Sequence, residues 1–524
     1  MHFGSADDKQ PGDRLACPVL QATGPVKMLE FLEGSHAMAA NLWRWPGVLL
    51  VAVVTAAAAH AADTNDAGRP HAAPEPIVIP EKGVPVVRLV KHLDISRFGS
   101  EIMKAADIDG DGRIEFVFYQ GPGMLSAAVF QPGAAGPYGK HTTPADQALS
   151  CLTAIDIDGN VQWQSGEPWK LDIPFRTHGG HDMLVAEDID GEAGAELVVL
   201  RGDQLQLISG KTGRPIRTAA LDDDGYSQLL AVKSGPDGGR SILVRPIGDG
   251  LDGHPHGCPN LLYDRDLKPL WSRRDFRRAG HVPRGYDIDG DGQDELFIGL
   301  DCADQRGEVL WTVAAPDIPS SQASYFLGHD DRRTIIDIDG DGTHEQVLAL
   351  ENFGVLVSDL KGNVVWRRAV PDHCGEACVG KFLADEPGLQ ILVNNERFGL
   401  PPNRSLAGSE LLDCKGRVLR RFAEDVYASP IKWKTSVGPE AMLTAYHGAK
   451  VADPRPFIMD GEGRVIAVFD IPSDLPQVMD FKLPHANLWF GDWGDYYNRT
   501  VMELPGIGPA ILIWSRKDLW VFAP

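Results

Sequence analysis

Apolar residues along this chain fall in short runs, and within many runs they alternate with polar ones. The segment GVLVSDLKGNVVWRR (354–368) is representative: two half-buried strands around a Lys361-Gly362 turn. Alternation at period two puts one face of a strand inside, and Gly between two such runs marks a hairpin. Helical periodicity is nearly absent, so the pattern predicts an all-β chain. Three segments are near copies: AADIDGDGRIEFVF from Ala105, YDIDGDGQDELFIG from Tyr286 and IDIDGDGTHEQVLA from Ile336. Each is a Gly-rich acidic loop that runs directly into an apolar strand.

The clearest module begins at His329. It reads as a short strand, the acidic loop, a strong apolar strand, a second strand and a hairpin ending in an aromatic. Four strands in about 40–50 residues is the size of a propeller blade. Similar modules start at Ala105, His181, Leu229, His281, His373, Lys434 and Asn487. Eight blades are therefore expected, or seven if the final segment is only a closing piece. The last module is one strand short, and PVVRLVK from Pro85 can supply that strand and close the ring. A flat solenoid is the alternative; a ring is preferred because it leaves few sheet edges exposed without dedicated caps.

The only long apolar run is WPGVLLVAVVTAAAA, Trp45 to Ala59, preceded by Arg44. It is short for a bilayer span and is followed by Ala59-His60-Ala61, a small-x-small cleavage pattern. Residues 1–61 are read as an N-terminal extension and signal peptide, with Met38 as the expected start and cleavage after Ala61. Residues 62–84 are read as a linker and 85–524 as a single propeller domain. The alternative is an uncleaved N-terminal anchor. Export predicts a periplasmic or secreted protein with no stable membrane insertion after cleavage. Cys17 precedes the signal, leaving Cys151, Cys258, Cys302, Cys374, Cys378 and Cys414, an even set able to form disulfides in an oxidising compartment. Cys374 and Cys378 read as a disulfide or as two packed thiols.

The formal net charge is −23 and the apolar fraction 43%. Much of the excess acid lies in the repeated loops, and no basic stripe is present, which excludes a nucleic-acid partner. In the loops, carboxylates at alternate positions converge because two glycines allow a sharp turn. The sets are Asp107, Asp109, Asp111 and Glu115; Asp287, Asp289, Asp291 and Glu295; and Asp337, Asp339, Asp341 and Glu345. Hard oxygen donors at this density select Ca²⁺ over Mg²⁺, which prefers a stricter octahedron with retained waters. Strands flank the loops, and the bidentate Glu of an EF-hand is missing. The expected role is to pin turns, with no chemistry. Asp188, Asp190 and Glu196 make a degenerate copy.

A second periodicity concerns histidine. His181, His281, His329, His373 and His485 each lie six to eight residues before an acidic-loop position, and Tyr226 sits similarly ahead of the third module. If the first strand of each blade lines the axis, these residues ring one of its mouths. Arg284, Tyr286, Arg332, Arg333, His178 and the Arg97 segment lie nearby in sequence. A cationic, His-rich funnel suits an anionic ligand. The plainer alternative is that each histidine caps a strand end as a habit of the repeat.

The segments HDMLVAEDIDG, AGHVPRGYDIDGDGQDELFIG and ADEPGLQILV resemble the propeller polysaccharide lyases, across roughly 97–524. In repeat pattern the chain resembles rhamnogalacturonan lyases; in size it resembles the ulvan and rhamnose–glucuronate lyases. The repeat is also similar to the FG-GAP type found in adhesins. No segment of the sequence reads as the appended β-sandwich domains that a resemblance to rhamnogalacturonan lyases leads one to expect. The resemblance implies an acidic, uronate-containing polysaccharide as partner and β-elimination as the reaction. On that basis Arg284 or Arg332 neutralises the uronate carboxylate, and His181 or His281 is the base. Tyr286 is a candidate donor to the leaving oxygen. His178, His329, Arg332, Arg333, His373 and His485 position the sugar. Two other readings are a non-catalytic propeller that binds carbohydrate or protein, and a quinoprotein dehydrogenase-like propeller. The latter is disfavoured because tryptophan-docking repeats are not evident in the sequence.

Overall fold

A computed structural model of the chain describes residues 73–80, 82–100, 102–120, 151–168, 183–223, 225–246, 257–276, 279–314, 329–351, 353–370, 373–395, 408–434, 438–446, 455–472, 498–515 and 517–523. The signal peptide expected within 1–61 lies outside the described residues, and no described helix is long and apolar enough to cross a membrane.

The strands pair into eight four-stranded antiparallel sheets, and no helix occurs among the described residues. The first strands of blades 1 to 8 are Ile102–Ala106, Leu184–Glu187, Gln228–Lys233, Arg284–Tyr286, Arg332–Ile336, Ala377–Gly380, Val426–Ile431 and Asn498–Leu504. First strands touch between blades 1 and 2, 2 and 3, 3 and 4, 5 and 6, and 6 and 7, which places them along the axis. The second strands are the most apolar. Glu345–Ala349 is buried at every position, as is Gln390–Asn395, because both faces are covered by neighbouring blades. The eighth blade takes three strands from the C-terminus and its outermost from Arg88–Asp94, which pairs antiparallel with Asp518–Ala523. The closing strand expected near Pro85 is in place, and the count is eight.

Part of the segment read as a linker is tied down before that closure. Glu75 bridges Phe422 on the outer strand of blade 6, with Ile77 buried beside it. Val86 bridges Val468 on the outer strand of blade 7. Residues 75–94 thus run along the outer edges of blades 6, 7 and 8, covering edges that would otherwise present unpaired backbone groups.

Successive blades are locked by a device the sequence reading judged absent. An aromatic on the fourth strand of one blade lies on a turn glycine of the next: Trp163 on Gly213, Trp271 on Gly307, Trp311 on Gly362, Trp366 on Gly416 and Phe422 on Gly463. A Cβ on any of these glycines would meet the ring at 2.4 to 3.0 Å. Three of the indoles also donate to a backbone carbonyl there: Trp163 to Gly210, Trp271 to Gln305 (2.9 Å) and Trp366 to Cys414 (2.9 Å). The motif escapes a linear search because the aromatic and its glycine belong to different modules. It serves blade stacking.

The six cysteines after Cys17 are buried free thiols, which corrects the disulfide expectation. Cys374 and Cys378 are both buried free thiols, the second of the two readings.

Candidate functional site

The two ends of the first strands carry different chemistry: acidic loops follow those of blades 1, 2, 4 and 5, and histidine-bearing segments lead into those of blades 4, 5 and 6.

At the acidic end, the aspartate that opens each loop builds the turn. Asp107 accepts from the amides of Gly110 (2.8 Å) and Gly112 (2.8 Å), and Asp287 and Asp337 repeat the pattern. The closing glutamate folds back: Glu115, Glu295 and Glu345 accept from the amides of Ile108, Ile288 and Ile338. Carboxylate oxygens of Asp107, Asp109 and Glu115 lie within 4.8 Å of one another, as do those of Asp287, Asp289 and Asp291, and of Asp337, Asp339 and Glu345. The loop read as degenerate does the same with Asp188, Asp190 and Glu196. Burial raises the carboxyl groups of Glu115, Glu196, Glu295 and Glu345, and neighbouring aspartates add to that rise. These oxygen sets fit a hard cation such as Ca²⁺. The third aspartate of each loop also accepts from the residue two positions on: Asp111 from the amide and guanidinium of Arg113, Asp291 from the amide and side chain of Gln293, and Asp341 from the amide and hydroxyl of Thr343. The loops also interlock blades, as where Ala195 donates to the Asp107 carbonyl (2.8 Å) and Leu389 to that of Ile338 (2.8 Å).

At the other end, three of the five recurring histidines meet. His281, His329 and His373 enter the first strands of blades 4, 5 and 6, and their side chains converge on the carboxylate of Asp331. The Nε2 atoms of His281 and His329 lie 3.4 and 3.0 Å from Asp331 Oδ1, and that of His373 lies 3.2 Å from Oδ2. The rings of His281 and His329 meet edge to face at 4.7 Å between centroids. On the far side of His329, Nδ1 is 3.2 Å from Glu351 Oε2. The four side chains of this knot, those of His281, His329, His373 and Asp331, are 6 to 11% exposed. Burial opposes charge on His329, but Asp331 and Glu351 outweigh it and hold the imidazolium well above the ordinary histidine range. Burial pushes the Asp331 carboxyl upward, against the pull of His329 and His373.

The backbone fixes this arrangement. The His281 amide donates to the Asp330 carbonyl (2.7 Å), and the Gly280 amide to Asp330 Oδ1 (2.9 Å). A Cβ at Gly280 would stand 2.2 Å from atoms of Asp330, so only glycine allows the approach. Asp330 is held in turn by Arg333, whose Nη2 lies 2.8 Å from Oδ2. Arg333 also donates to Gln346 (2.7 Å) and to the Gly299 carbonyl, and is 1% exposed. The structure therefore spends Arg333 on blade geometry, which corrects its placement among ligand-contacting residues. Arg245 of blade 3 does similar work, donating to the Ala279 carbonyl (2.6 Å) just before His281. Glu351 adopts φ +40°, a strained conformation for a residue with a side chain, and its carbonyl accepts from the Cys374 amide (2.9 Å).

The remaining expected residues separate. Arg284 is exposed at the start of the blade 4 inner strand. Arg332, its counterpart in blade 5, is half-exposed, with Nε 3.3 Å from the buried carboxylate of Glu376. Tyr286 lies at the acidic end of its strand, against His344 of the blade 5 loop at 5.7 Å between centroids, away from the histidine knot. Tyr226 is buried, its hydroxyl donating to Asp222 (2.6 Å). His178, His181 and His485 lie outside the described residues. Sequence reasoning missed Asp331 and Glu351. The signal for the first was the run His329-Asp330-Asp331-Arg332, while nothing local marks Glu351, which reaches the site from the end of the second strand.

No protein-family model matches the chain, and no curated protein matches its sequence. Solved structures do match its fold. The exotype rhamnogalacturonan lyase YesX superposes with a TM-score of 0.56 at 16% identity, over 84% of this chain and 75% of its own. Rhamnogalacturonan lyase YesW gives 0.54 at 15%, over 84% and 74%. A rhamnogalacturonan lyase of Bacillus licheniformis gives 0.51 at 14%, over 81% and 71%. At these identities the likeness shows the fold: the chain is an eight-bladed propeller whose structural neighbours include rhamnogalacturonan lyases.

Proposed function

We propose that this protein is an exported lyase that cleaves a uronate-containing, rhamnose-containing polysaccharide by β-elimination, with Ca²⁺ held in the acidic loops as a structural ion. The observation that carries the reading is that Arg284 and Arg332 open the inner strands of blades 4 and 5, at the end of those strands where the histidine knot lies. Two guanidiniums there suit a uronate carboxylate, and neutralising that group acidifies the C5 proton. A neutral imidazole then takes the proton, the C4–O bond breaks, and a C4=C5 double bond forms as the leaving oxygen is protonated from water. We assign the base to His181. His281, the other candidate, is buried with Nε2 turned to Asp331, and in this reading it shapes the floor of the site with His329 and His373. His178 and His485 are assigned to sugar contacts.

The test is direct. Mature protein is incubated with rhamnogalacturonan, ulvan and glucuronate-rich gums in the presence of Ca²⁺, and the ultraviolet absorbance of the unsaturated uronate is followed. Rising absorbance on at least one polymer, abolished in His181→Ala with unchanged melting, is the expected result. A flat trace on every polymer, together with measurable binding to one, would establish a binding propeller instead.

A further inference from the structure

We propose that His281, His329 and Asp331 form a binding site for one divalent transition-metal ion of the zinc class, separate from the acidic loops, with His373 on the other oxygen of the Asp331 carboxylate. Two imidazole nitrogens and one carboxylate oxygen make a borderline-soft donor set that leaves a fourth position for water, which favours zinc, cobalt or nickel over calcium or magnesium. Ligand atoms of His281, His329 and Asp331 all lie within 4.8 Å of one another. The Nε2 atoms of His329 and His281 stand 3.0 and 3.4 Å from Asp331 Oδ1, the size of tetrahedron edges, while His373 Nε2 faces Oδ2 at 3.2 Å. Bonds of about 2.0–2.1 Å to a tetrahedral ion set its ligands roughly 3.3 Å apart.

What surrounds the donors strengthens the assignment. Metal-bound histidines usually give their second nitrogen to a carboxylate, which fixes tautomer and ring orientation. Glu351 stands in that relation to His329, at 3.2 Å from Nδ1. The same residue's carbonyl holds Cys374, next to His373, at the cost of a left-handed φ. The donors come from blades 4 and 5 and are tied to one another through Asp330, so the site is built before any ion arrives. Two buried carboxylates, Asp331 and Glu351, match the charge of one divalent cation. The competing explanation is a purely hydrogen-bonded knot in which His329 carries the balancing proton. Titration with metal separates the two.

Tagless full-length protein is stripped with EDTA, returned to saturating Ca²⁺ to fill the loops, and titrated with Co²⁺. The expected result is the visible absorption of tetrahedral cobalt, saturating at one equivalent and bleached by Zn²⁺. His329→Ala should lose the bands while keeping the Ca²⁺-dependent gain in melting temperature. Glu351→Gln, a milder change, should keep the bands but weaken Co²⁺ affinity about 10–100-fold. Absence of the bands in the unmodified protein overturns the site, even if the alanine variant does not fold. Undiminished bands in His329→Ala overturn it as well.

Discussion

Single side chains in this protein often act across a blade seam. Glu410, on the third strand of blade 6, accepts from Arg368 of blade 5 (2.8 Å) and Arg421 of its own blade (2.8 Å). Burial would push its carboxyl up, yet the two guanidiniums outweigh burial and hold it below the ordinary glutamate range. A carboxyl depressed on folding contributes stability that is present above its unfolded pKa and lost as pH falls through the folded one. Glu410→Gln should therefore melt below the parent at neutral pH, by ~1–3 kcal/mol, since two cations lose their counter-ion. The gap should close as pH falls through and below about 4; a gap constant from pH 7 to 3 would refute the assignment. Neither Glu410 nor the buried Arg333–Asp330 pair stands out in the sequence. A charged residue on a strand reads as solvent-facing until the neighbouring blade is known. For the same reason Arg332 and Arg333 look alike on paper, while strand alternation sends one outward and the other into the interior.

Among the elements, the fourth strand of each blade matters more than its modest hydrophobicity suggests. Trp366 packs on Gly416 of the next blade, where a Cβ would come within 2.8 Å of the ring, and its indole donates to Cys414. Trp366→Ala should cost ~3–5 kcal/mol, as a large buried ring is removed and a carbonyl loses its donor. Gly416→Ala should also destabilise, because φ there is +78° and the Cβ has no room. Thermal melts of both variants check this, and a change within about 0.5 kcal/mol for Trp366→Ala would show that the seam is not held this way. The strands themselves were legible, since alternation and Gly turns are local signals. The inner strand of blade 7, Val426–Ile431, was not, because it lies upstream of the module start read at Lys434.

For the whole molecule, ring closure is the global device, to which the proposed Ca²⁺ sites add. Arg88–Asp94 completes blade 8, and residues 75–87 strap blades 6 and 7. A chain beginning after Asp94 should expose the edge of Asp518–Ala523 and aggregate or melt early, whereas one beginning after residue 72 should behave as the parent. Size-exclusion profiles and melts distinguish the two, and a monodisperse, equally stable short form would show the closing strand to be dispensable. Removing Ca²⁺ with a selective chelator should lower the melting temperature, and returning it should restore the fold. Each filled site at a hundred times its dissociation constant is worth about 2.7 kcal/mol. An unchanged melt would mean that the turns stand on the backbone hydrogen bonds of Asp107, Asp287 and Asp337 alone. The sequence by itself determined the all-β class, the blade repeat, the ring-closing strand and the placing of a histidine before several first strands, because periodicity and turn chemistry are written in neighbouring residues. Only the tertiary structure decided that His281, His329 and His373 share one carboxylate, that Glu351 backs them, and that tryptophans lock the blades. Those contacts join residues tens of positions apart, and they exist only once the ring brings the blades side by side.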